Sequence, residues 1–536
     1  MDTRTPPLSV AADPSSASIP CHDPATGEHL GDIPVVSGEE VRERLVRARK
    51  AQARWAKTTF EERREVLRTI LRHMLEHTDE LCQMIARDAG KTLDNAILGE
   101  IWPVCEKLRH TITHGEEALS PRRVSPGLLV HKTASVEYHP KGVIGVICPW
   151  NFPLQNVLGP TIPALFAGNA AIVKVSEWTS WSAPRIQEIF DEALDAAGIS
   201  RDLVQVIAGY AETGKALVAS GVDLIIFTGS MPNGKRVLQA SAETLTPVIL
   251  ELGGKDAMII CDDADLDRAV HAALAGTFIA SGQMCLAAER IYVHDGIYDR
   301  FVERVVELAG RLRQAPPLTG PEPVDVGAMT MPGQVEIVER LVQDAVAKGA
   351  RVRVGGTRGR QACGSFFEPT VLTEVDHSMD IVNHETFGPV MSILRWGDDE
   401  EVIRLANATD YGLGSTVFSR DPARARRIAA ELRVGSTTIN DFSMAYMANE
   451  LPFGGVGGSG FGRLNGPEGL RACSNVKALL EDRLPGGRPV RLYPVAAGDY
   501  EQAKSTIRAI YGHGLRQRIG GVVDLGRDLV RRFFGG

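Results

Sequence analysis

The chain of 536 residues has no excess of basic side chains: 59 Lys or Arg stand against 67 Asp or Glu, and the net charge is −8. A general nucleic-acid-binding protein would carry a basic surface, so this class is disfavoured. No run of about 18 apolar residues occurs, which argues against a membrane-spanning helix. Residues 1–20 are rich in Pro and Ser and lack the apolar segment of a signal peptide, so they predict a disordered leader.

The sequence also lacks paired cysteines. Its eight cysteines are scattered and none forms a CxxC motif, which disfavours a zinc ribbon or a thioredoxin-like site. Scattered thiols are typical of the reducing cytosol rather than of a disulfide framework. We therefore expect a cytoplasmic protein, and we expect no metal site.

What the sequence does contain is a regular α/β pattern. Its length predicts two or three domains, and capping boxes at 37–40 and 59–62 predict two packing helices. Apolar runs then alternate with helical stretches: GVIGVICPW (142–150), NAAIVKV (169–175), LVQVIAG (203–209), DLIIFTG (223–229) and PVILELGG (247–254). Such runs indicate parallel strands covered on both faces, with ligands at their carboxyl ends. A second α/β block follows from 255 to 455, and AMIICDD and RIYVHD are its first predicted strands.

Two motifs imitate nucleotide-binding sites. GVGGSG at 455–460 matches GxGxxG, but it does not join a strand to a helix, so we interpret it as a loop. GYAETGKA at 209–216 resembles a P-loop, yet Ala216 stands where a Ser or Thr would bind Mg²⁺. An NTPase therefore remains only a remote alternative.

Cys285 lies in SGQMCLAAER (281–290), and by itself this stretch fits a buried structural cysteine. A thiol that oxidises an aldehyde must instead form a tetrahedral thiohemiacetal. That chemistry needs oxyanion donors, a hydride acceptor, and a base that hydrolyses the thioester. Asn151 follows the run GVIGVIC, and Glu251 lies in LELGGK between two leucines. Each of these residues, considered alone, has another interpretation: Asn151 could be a turn residue, and Glu251 could be a charged residue at the protein surface.

Seven segments occur together in one order: PWNFPL, AGNAAIVKVSE, FTGS, LELGGK, GQMC, ETFGP and PFGGVGGSGFGR. This set, and the 34 residues from Glu251 to Cys285, resemble the aldehyde dehydrogenase superfamily over residues 20–483. The resemblance implies an α/β fold with two doubly wound parallel-sheet domains and a small β bridging domain. Other segments, among them LGPTIPALFAGNA and INDFSMAYM, resemble a plant, fungal and bacterial subgroup with a membrane-associated terminus.

The resemblance implies a role for each candidate. Cys285 would be the nucleophile, and its backbone N–H and the Asn151 amide would form the oxyanion hole. Glu251 would activate the hydrolytic water and help to raise the thiolate fraction of Cys285. In relatives a proton exit route is proposed through a lysine and a glutamate, but Pro160 and Leu464 hold those places here.

A dinucleotide site is implied as well, formed by Trp150, Lys174, Glu177, Gly229, Ser230, Gly234, Glu385 and Phe387. Lys174 and Glu177 would hold the adenosine ribose, and a carboxylate there favours NAD over NADP, which is left open. Ser230 would meet the pyrophosphate at a helix start. Glu385 and Phe387 would place the nicotinamide ribose and ring.

The implied substrate pocket is mostly apolar and contains no Arg or Lys. It comprises Phe152, Asn156, Gly159, Met284, Leu286, Tyr446, Met447 and Phe453. Gly159 stands where relatives often have a bulky aromatic residue. We expect an open tunnel for apolar aliphatic or aromatic aldehydes, whereas succinate semialdehyde is disfavoured. Alternatively, loops outside this set determine the specificity.

The expected domain organisation follows the same resemblance. After the leader come an NAD-binding domain (21–122 and 141–252), a catalytic domain (253–456), bridging segments (123–140 and 457–490) and a C-terminal tail (491–536). The segments LLVHKTASVEYHP and VKALLED resemble strands that pair subunits. A homodimer or homotetramer is therefore expected.

The tail is basic and amphipathic. From residue 499 onward it has seven Lys or Arg and four Asp or Glu. One predicted helix face carries Val522, Leu525, Leu529 and Phe533, with Arg527, Arg531 and Arg532 beside it. Three interpretations remain open: contact with an anionic membrane, a cap over the tunnel, or packing on a partner subunit.

Two further functions compete with NAD-dependent oxidation of an aldehyde to the acid. A CoA-acylating relative would resolve the thioester with CoA, but it has less need of the base Glu251. A catalytically retired, membrane-tethered scaffold would have no use for Cys285, Glu251 and Asn151, which are all intact.

Overall fold

The computed structural model describes residues 17–319, 323–359, 364–442, 444–483 and 493–534. Among these described residues, one compact unit lies within 17–122 and 136–478, and the other within 123–135 and 479–534. No helix in the described part of the chain is long and apolar enough to cross a membrane. The division into four functional domains stays a prediction.

The strands run in chain order as follows: β1 (Ser18–His22), β2 (His29–Pro34), β3 (Arg122–Val124), β4 (Lys132–Pro140), β5 (Val143–Ile147), β6 (Ala170–Lys174), β7 (Val204–Ile207), β8 (Leu224–Gly229), β9 (Val248–Leu252), β10 (Asp256–Ile260), β11 (Ala288–His294), β12 (Arg351–Val354), β13 (Thr370–Thr373), β14 (Val390–Trp396), β15 (Gly414–Phe418), β16 (Ser436–Ile439), β17 (Gly460–Phe461) and β18 (Ser474–Asp482). The strands predicted from apolar runs at 142–150, 169–175, 203–209, 223–229 and 247–254 are confirmed as β5 to β9.

The helices are α1 (Gly38–Trp55), α2 (Phe60–Glu76), α3 (Thr78–Ala89), α4 (Leu93–Ala96), α5 (Trp102–Leu119), α6 (Gln155–Phe166), α7 (Ala183–Ala196), α8 (Ala211–Ala219), α9 (Met231–Ala242), α10 (Leu266–Phe278), α11 (Tyr298–Ala309), α12 (Pro332–Ala347), α13 (Asp380–Asn383), α14 (Asp399–Ala406), α15 (Pro422–Glu431), α16 (Met444–Met447), α17 (Gly466–Ala472), α18 (Asp499–Tyr511) and α19 (Gly514–Phe534). A π-helical turn, Ile97–Ile101, joins α4 to α5. Both predicted capping boxes are confirmed: Ser37 and Thr59 cap α1 and α2, and Glu40 and Glu62 bond back to the cap residues.

The first sheet has six strands in the order β17-β9-β8-β5-β6-β7. Strands β5 to β9 are parallel, while β17 pairs antiparallel with β9. Their interiors are almost wholly apolar and buried, as expected when helices cover both faces. The carboxyl ends of β5, β6, β8 and β9 therefore meet at one edge of the sheet, which is where ligands of such folds bind.

The second sheet has seven strands in the order β12-β13-β14-β11-β10-β15-β16. All its pairs are parallel except β12 with β13. The chain passes from the first sheet to the second between Leu252 and Asp256, through the turn Gly253-Gly254. Glu251 at the end of β9 and the start of β10 are therefore only a few residues apart.

Two sequence expectations need correction. Residues 18–20 of the predicted leader belong to β1, because this strand pairs with β2 and buries Ile19; residues 1–16 lie outside the described part of the chain. The GxGxxG stretch is not wholly a loop, since it contains a 3₁₀ turn, Gly457–Ser459, and its last residue, Gly460, begins the edge strand β17. The strand forms because β9 offers it a free edge.

A third sheet has the order β18-β4-β3. In the tail, α18 packs against α19. The exposed apolar residues of α19 include Leu515, Ile519, Val522 and Val530. Leu525 is half-buried, and the side chains of Leu529, Phe533, Arg531 and Arg532 lie outside the described residues.

Candidate active site

Asn151 occupies the loop between β5 and α6 and is buried. Its Nδ2 donates to the carbonyl oxygen of Gln283 at 3.0 Å, and its Oδ1 accepts from Asn156 Nδ2 at 3.1 Å. These two bonds orient the amide so that its N–H₂ faces the segment carrying Cys285. The structure thus brings together residues that are 132 positions apart.

The backbone that leads to Cys285 is unusual. Three consecutive residues have positive φ: Ala280 at 50°, Ser281 at 57° and Gly282 at 75°. This backbone conformation is energetically unfavourable for residues other than glycine, so it persists only where tertiary contacts enforce it. Here the Ser281 hydroxyl donates to Gly327 O at 3.0 Å, and Gln283 Oε1 accepts from Thr330 N at 2.9 Å. The surrounding fold therefore holds the cysteine loop in place.

Glu251 lies on β9, between two neighbouring strands: Thr228 of β8 is its partner on one side and Gly460 of β17 on the other. It is only 3% exposed, and its Oε1 has no hydrogen-bond partner among the described residues. Burial raises the pKa of the carboxyl to about 7, although hydrogen bonds with Cys285 and Thr228 act in the opposite direction. A carboxyl with this pKa is suited to exchange protons near neutral pH.

The Cys285 thiol faces this carboxyl. Loss of solvation, and then the charge and hydrogen bond of Glu251, raise the pKa of the thiol well above its ordinary value. The side chain is nevertheless half-buried rather than enclosed. The thiol is therefore neutral, and the ionised form of the Glu251 carboxyl beside it can accept its proton. We find no room for a side chain at Gly254, whose Cβ would lie 2.3 Å from Cys285 O.

A second carboxyl, Glu385, lies against the same glycine turn. Its Oε1 accepts from Gly254 N at 3.0 Å, and burial raises its pKa to about 8. The following loop is held by Glu289, which accepts from Thr386 N at 2.7 Å and from Phe387 N at 2.8 Å. Glu289 is also ion-paired with Lys255, so a buried charge pair fixes Phe387 at its positive φ of 49°.

The predicted cofactor residues surround the same sheet edge. The ring of Phe387 meets that of Trp150 edge-on, with centroids 5.3 Å apart. Lys174 ends β6, and its Nζ lies 3.5 Å from Glu177 Oε2. Ser230 precedes α9 without capping it through its side chain, so the first N–H groups of this helix are available for an anion.

Close packing brings α9 onto the sheet. A Cβ at Gly234 would lie 2.6 Å from Leu252 Cδ2, and one at Gly229 would lie 2.7 Å from the Phe227 ring. The chemistry of these residues fits a dinucleotide, because a carboxylate can accept from a ribose hydroxyl, a helix N-terminus can bind a pyrophosphate, and an aromatic pair can contact a nicotinamide ring.

Some of the predicted pocket residues form a wall beside Cys285. Tyr446 accepts a hydrogen bond from Gln155 Nε2, and its ring meets that of Phe453 edge-on at 4.8 Å. Burial, followed by the nearby Cys285 and Glu251, raises the pKa of the Tyr446 hydroxyl. Leu286 borders a small cavity together with Tyr446. Met284 and Met447 are half-buried, and no described contact joins them to this wall.

The structure adds two lysines that the pocket prediction omits. Lys91 Nζ lies 3.4 Å from the centroid of the Phe152 ring, and Lys107 Nζ donates to Gly159 O at 3.1 Å. The sequence signal for Lys107 is its place on the buried face of α5, next to Leu108 and one turn after Val104. Nothing local indicates that these side chains reach the site.

Glu100 is a further residue that sequence reasoning missed. It lies in the π-helical turn and pairs with Lys91 at 2.7 Å, with side-chain exposures of 0% and 1%. Its other oxygen accepts from Leu154 N at 2.7 Å and from Gln155 N at 3.1 Å. The pair therefore anchors the start of α6, next to Asn151. A single charge in the apolar stretch ILGEI was the available signal.

Comparisons with known proteins agree with this geometry. The sequence profile of the Aldehyde dehydrogenase family matches residues 11–479. An aldehyde dehydrogenase-like protein of Saccharomyces cerevisiae is 38% identical over 534 residues, covering 95% of this chain and 82% of the relative. A 4,4'-diapolycopene aldehyde oxidase of Methylomonas sp is 37% identical, covering 91% and 90%. The NAD⁺ complex of an aldehyde dehydrogenase from Bacillus cereus superposes with a TM-score of 0.82 at 31% identity, covering 87% of this chain and 94% of that one.

Proposed function

Because this chain belongs to the aldehyde dehydrogenase family, we propose that it oxidises an aldehyde to the carboxylic acid through a thiohemiacetal and a thioester on Cys285. NAD(P) is the cofactor, as NAD⁺ is in the complex from Bacillus cereus. One observation carries the proposal: the buried Glu251 carboxyl faces the Cys285 thiol, and the Asn151 amide is bonded two residues away, at Gln283.

In the first step Glu251 takes the thiol proton, and the sulfur of Cys285 adds to the aldehyde carbon. The carbonyl oxygen becomes an oxyanion, which the Asn151 amide and the Cys285 backbone N–H stabilise as donors. Loss of one such donor typically costs about 3 kcal/mol of transition-state stabilisation. NAD(P), when bound, accepts the hydride that the tetrahedral carbon releases. The residues then hold a thioester, and Glu251 must lose the thiol proton to solvent before it can act as a base again.

In the second step Glu251 removes a proton from water, and the resulting hydroxide attacks the thioester carbon. The C–S bond breaks, the acid leaves, and the sulfur regains the proton that Glu251 took from water. The pKa of Glu251, about 7, supports this assignment because a base works best near the operating pH. The unpartnered Oε1 of Glu251 is an acceptor that a water molecule can use.

For the cofactor, we propose that Glu177 accepts from the adenosine ribose 2′-hydroxyl. The position of Lys174 beside it supports this assignment. A 2′-phosphate would meet a like charge there, so NAD is the expected partner and NADP the weaker one. Ser230 and the start of α9 would hold the pyrophosphate, and Trp150 and Phe387 would hold the nicotinamide.

For the substrate, we propose an apolar aliphatic or aromatic aldehyde. The aromatic wall of Tyr446 and Phe453 supports this choice. Both nearby lysines are engaged, Lys91 by Glu100 and Lys107 by Gly159 O, so neither is free to clamp a carboxylate. A panel of aldehydes of increasing length, with benzaldehyde, succinate semialdehyde and 4,4'-diapolycopene aldehyde, tests this through kcat/KM. Succinate semialdehyde as the best substrate would contradict it.

The reaction is tested with Cys285→Ala and Glu251→Gln, and Cys82→Ala serves as a control because Cys82 is buried in α3. NADH absorbance should be lost with Cys285→Ala and kept with Cys82→Ala. Glu251→Gln should accumulate a thioester, visible as an added acyl mass on the protein. NADH formation by Cys285→Ala would refute the nucleophile. Release of acyl-CoA in place of the acid, after CoA is added, would favour the CoA-acylating alternative.

We also propose that two copies pair through β18. This strand is the edge of its sheet and exposes Val476 and Leu480 (66% and 50%), and such an apolar edge tends to pair with another strand. Sedimentation analysis of Val476→Lys should show a smaller particle than the unaltered protein, and an unchanged mass would contradict the interface.

For the tail we propose peripheral contact with an anionic membrane. The exposed row Leu515, Ile519, Val522 and Val530 on α19, with Arg516 and Arg518 nearby, supports it. The protein should sediment with vesicles containing phosphatidylserine more than with pure phosphatidylcholine, and Arg516→Glu with Arg518→Glu should weaken this. Equal binding to vesicles with and without phosphatidylserine would contradict the proposal.

A further inference from the structure

Residues 91–100, here called the clamp segment, lie between α3 and α5 and include α4 and the π-helical turn. Thr92 caps α4, since its Oγ1 accepts from Asn95 N at 3.2 Å. Side chains of the clamp segment contact both loops that carry the proposed oxyanion donors. The first loop leads to Cys285, and the second carries Asn151.

Asn95 holds the first of these loops. Its Oδ1 accepts from Ala280 N at 2.6 Å, although the two residues are 185 positions apart. Ala280 is the first of the three residues with positive φ, and its own oxygen accepts from Gln283 Nε2 at 3.0 Å. Ala280 is 2% exposed, and a buried N–H without a partner is costly. Asn95 therefore helps to enforce an unfavourable backbone conformation five residues before Cys285.

Glu100 holds the second loop, from the other end of the clamp segment. Its Oε2 accepts from two backbone N–H groups at the start of α6, at 2.7 and 3.1 Å. Hydrogen bonds to a carboxylate are stronger than those between neutral groups. Gly99 has no room for a side chain, because a Cβ there would lie 2.8 Å from Phe152 Cε1. The loop that carries Asn151 is thus fixed to the same short segment as the cysteine loop.

The relative position of the two loops matters for catalysis. Oxyanion donors act when they lie about 2.7–3.1 Å from one oxygen, and a displacement of about 1 Å can slow a reaction about a hundredfold. The loops contact each other through Asn151 Nδ2, which donates to Gln283 O. One such bond still allows a pivot between the loops. Attachment of both loops to the clamp segment restricts that pivot.

We propose that Asn95 is a positioning residue of the oxyanion hole. Through Ala280 it fixes the cysteine loop against the loop that Glu100 holds, so that the Cys285 N–H and the Asn151 amide converge on one oxygen. Asn95 makes and breaks no covalent bond in this role, and it affects the rate only through the two donors. The inference rests on the proposed function and concerns only how these donors are held.

The test separates the oxyanion hole from the thiol. Asn95→Ala removes the acceptor for Ala280 N, whereas Asn95→Asp keeps one. Asn407→Ala is the matched control, because Asn407 is also half-buried and its Oδ1 accepts from Arg433 N at 2.8 Å. Two rates are compared in each variant. One is NADH formation in the first turnover, at saturating aldehyde and NAD; the other is inactivation by iodoacetamide, which alkylates the Cys285 sulfur without forming an oxyanion.

Asn95→Ala should slow the first-turnover formation of NADH about tenfold or more, and its inactivation rate should be unchanged. Asn95→Asp and Asn407→Ala should keep both rates. In a protein that already carries Asn151→Ala, Asn95→Ala should cost much less than it does alone, because one of the two donors that it aligns is gone. Thermal melting verifies folding. If Asn95→Ala does not fold, Thr92→Val takes its place, since it removes the hydroxyl that holds Asn95 N.

An unchanged rate of NADH formation in Asn95→Ala would overturn the inference. An equal fall in both rates would also overturn it, because that result indicates a displaced thiol. So would a loss in Asn95→Asp as large as in Asn95→Ala, or a loss that is the same with and without the Asn151 amide. If instead the unaltered enzyme formed no NADH, or Cys285→Ala still formed it, the proposed function would fail, whatever the behaviour of Asn95.

Discussion

The pKa of Glu251 leads to a quantitative prediction for the hydrolysis step. Burial raises this pKa from 4.5 to about 7, and only the ionised carboxylate can remove a proton from water. The ionised fraction is then about one tenth at pH 6, one half at pH 7 and nine tenths at pH 8. Thioester hydrolysis should therefore be about tenfold faster at pH 8 than at pH 6. The sign follows from the raised pKa: activity is lost as the pH falls through 7.

The assay is a single turnover, with enzyme in excess over aldehyde, stopped at intervals and analysed for the carboxylic acid. Because each site reacts once, the rate does not include the regeneration of the enzyme for a further turnover. Glu251→Gln should slow this step by about a hundredfold or more, as expected for loss of a general base. The remaining slow hydrolysis should no longer vary with pH between 6 and 8.

Thr228→Val provides a directional control. The Thr228 hydroxyl bonds to Glu251 and lowers its pKa, so removing this bond should move the midpoint of the pH profile upward. A hydrolysis rate equal within twofold at pH 6 and pH 8 would refute the reasoning. A midpoint near 4.5, the ordinary value for a Glu carboxyl, would also refute it by showing that the group is solvated.

Three further substitutions test the surroundings of the site. An alanine in the left-handed conformation costs roughly 1–2 kcal/mol. Gly282→Ala should destabilise the protein by more than this, because its Cβ would lie 2.1 Å from Gly388 O. Gly198→Ala is the control in thermal melting: Gly198 has φ +67° and nothing within 4 Å of its Cβ position, so only the conformational cost should appear. Glu100→Gln should lower the free energy of unfolding by up to about 3–5 kcal/mol, because Lys91 is left unpaired, and hydrogen exchange at the start of α6 should become faster. The double variant with Lys91→Met should recover part of that stability. Equal exchange rates in all variants would contradict the anchoring role. Glu289→Gln should raise the KM for NAD by loosening Phe387 while hardly changing the KM for the aldehyde, and a change confined to the aldehyde would count against that role.

The amino-acid sequence by itself determined the local elements and indicated the family. Strands β5 to β9 were predictable because a strand covered on both faces must be apolar throughout, and that pattern is written in consecutive residues. The capping boxes of α1 and α2 were predictable for the same reason, since each involves only four residues. The motifs around Asn151, Glu251 and Cys285 likewise indicated the family before any contact was known.

Only the tertiary structure decided how these residues are tuned. The pKa of Glu251 depends on enclosure by β8, β17 and the cysteine loop, none of which is adjacent to it in the chain. Lys107 reaches Gly159 across 52 residues, and Asn151 reaches Gln283 across 132. Burial and charge pairing depend on distances in space, which residue spacing does not encode. For this reason the sequence predicted which groups react, whereas the fold set their protonation.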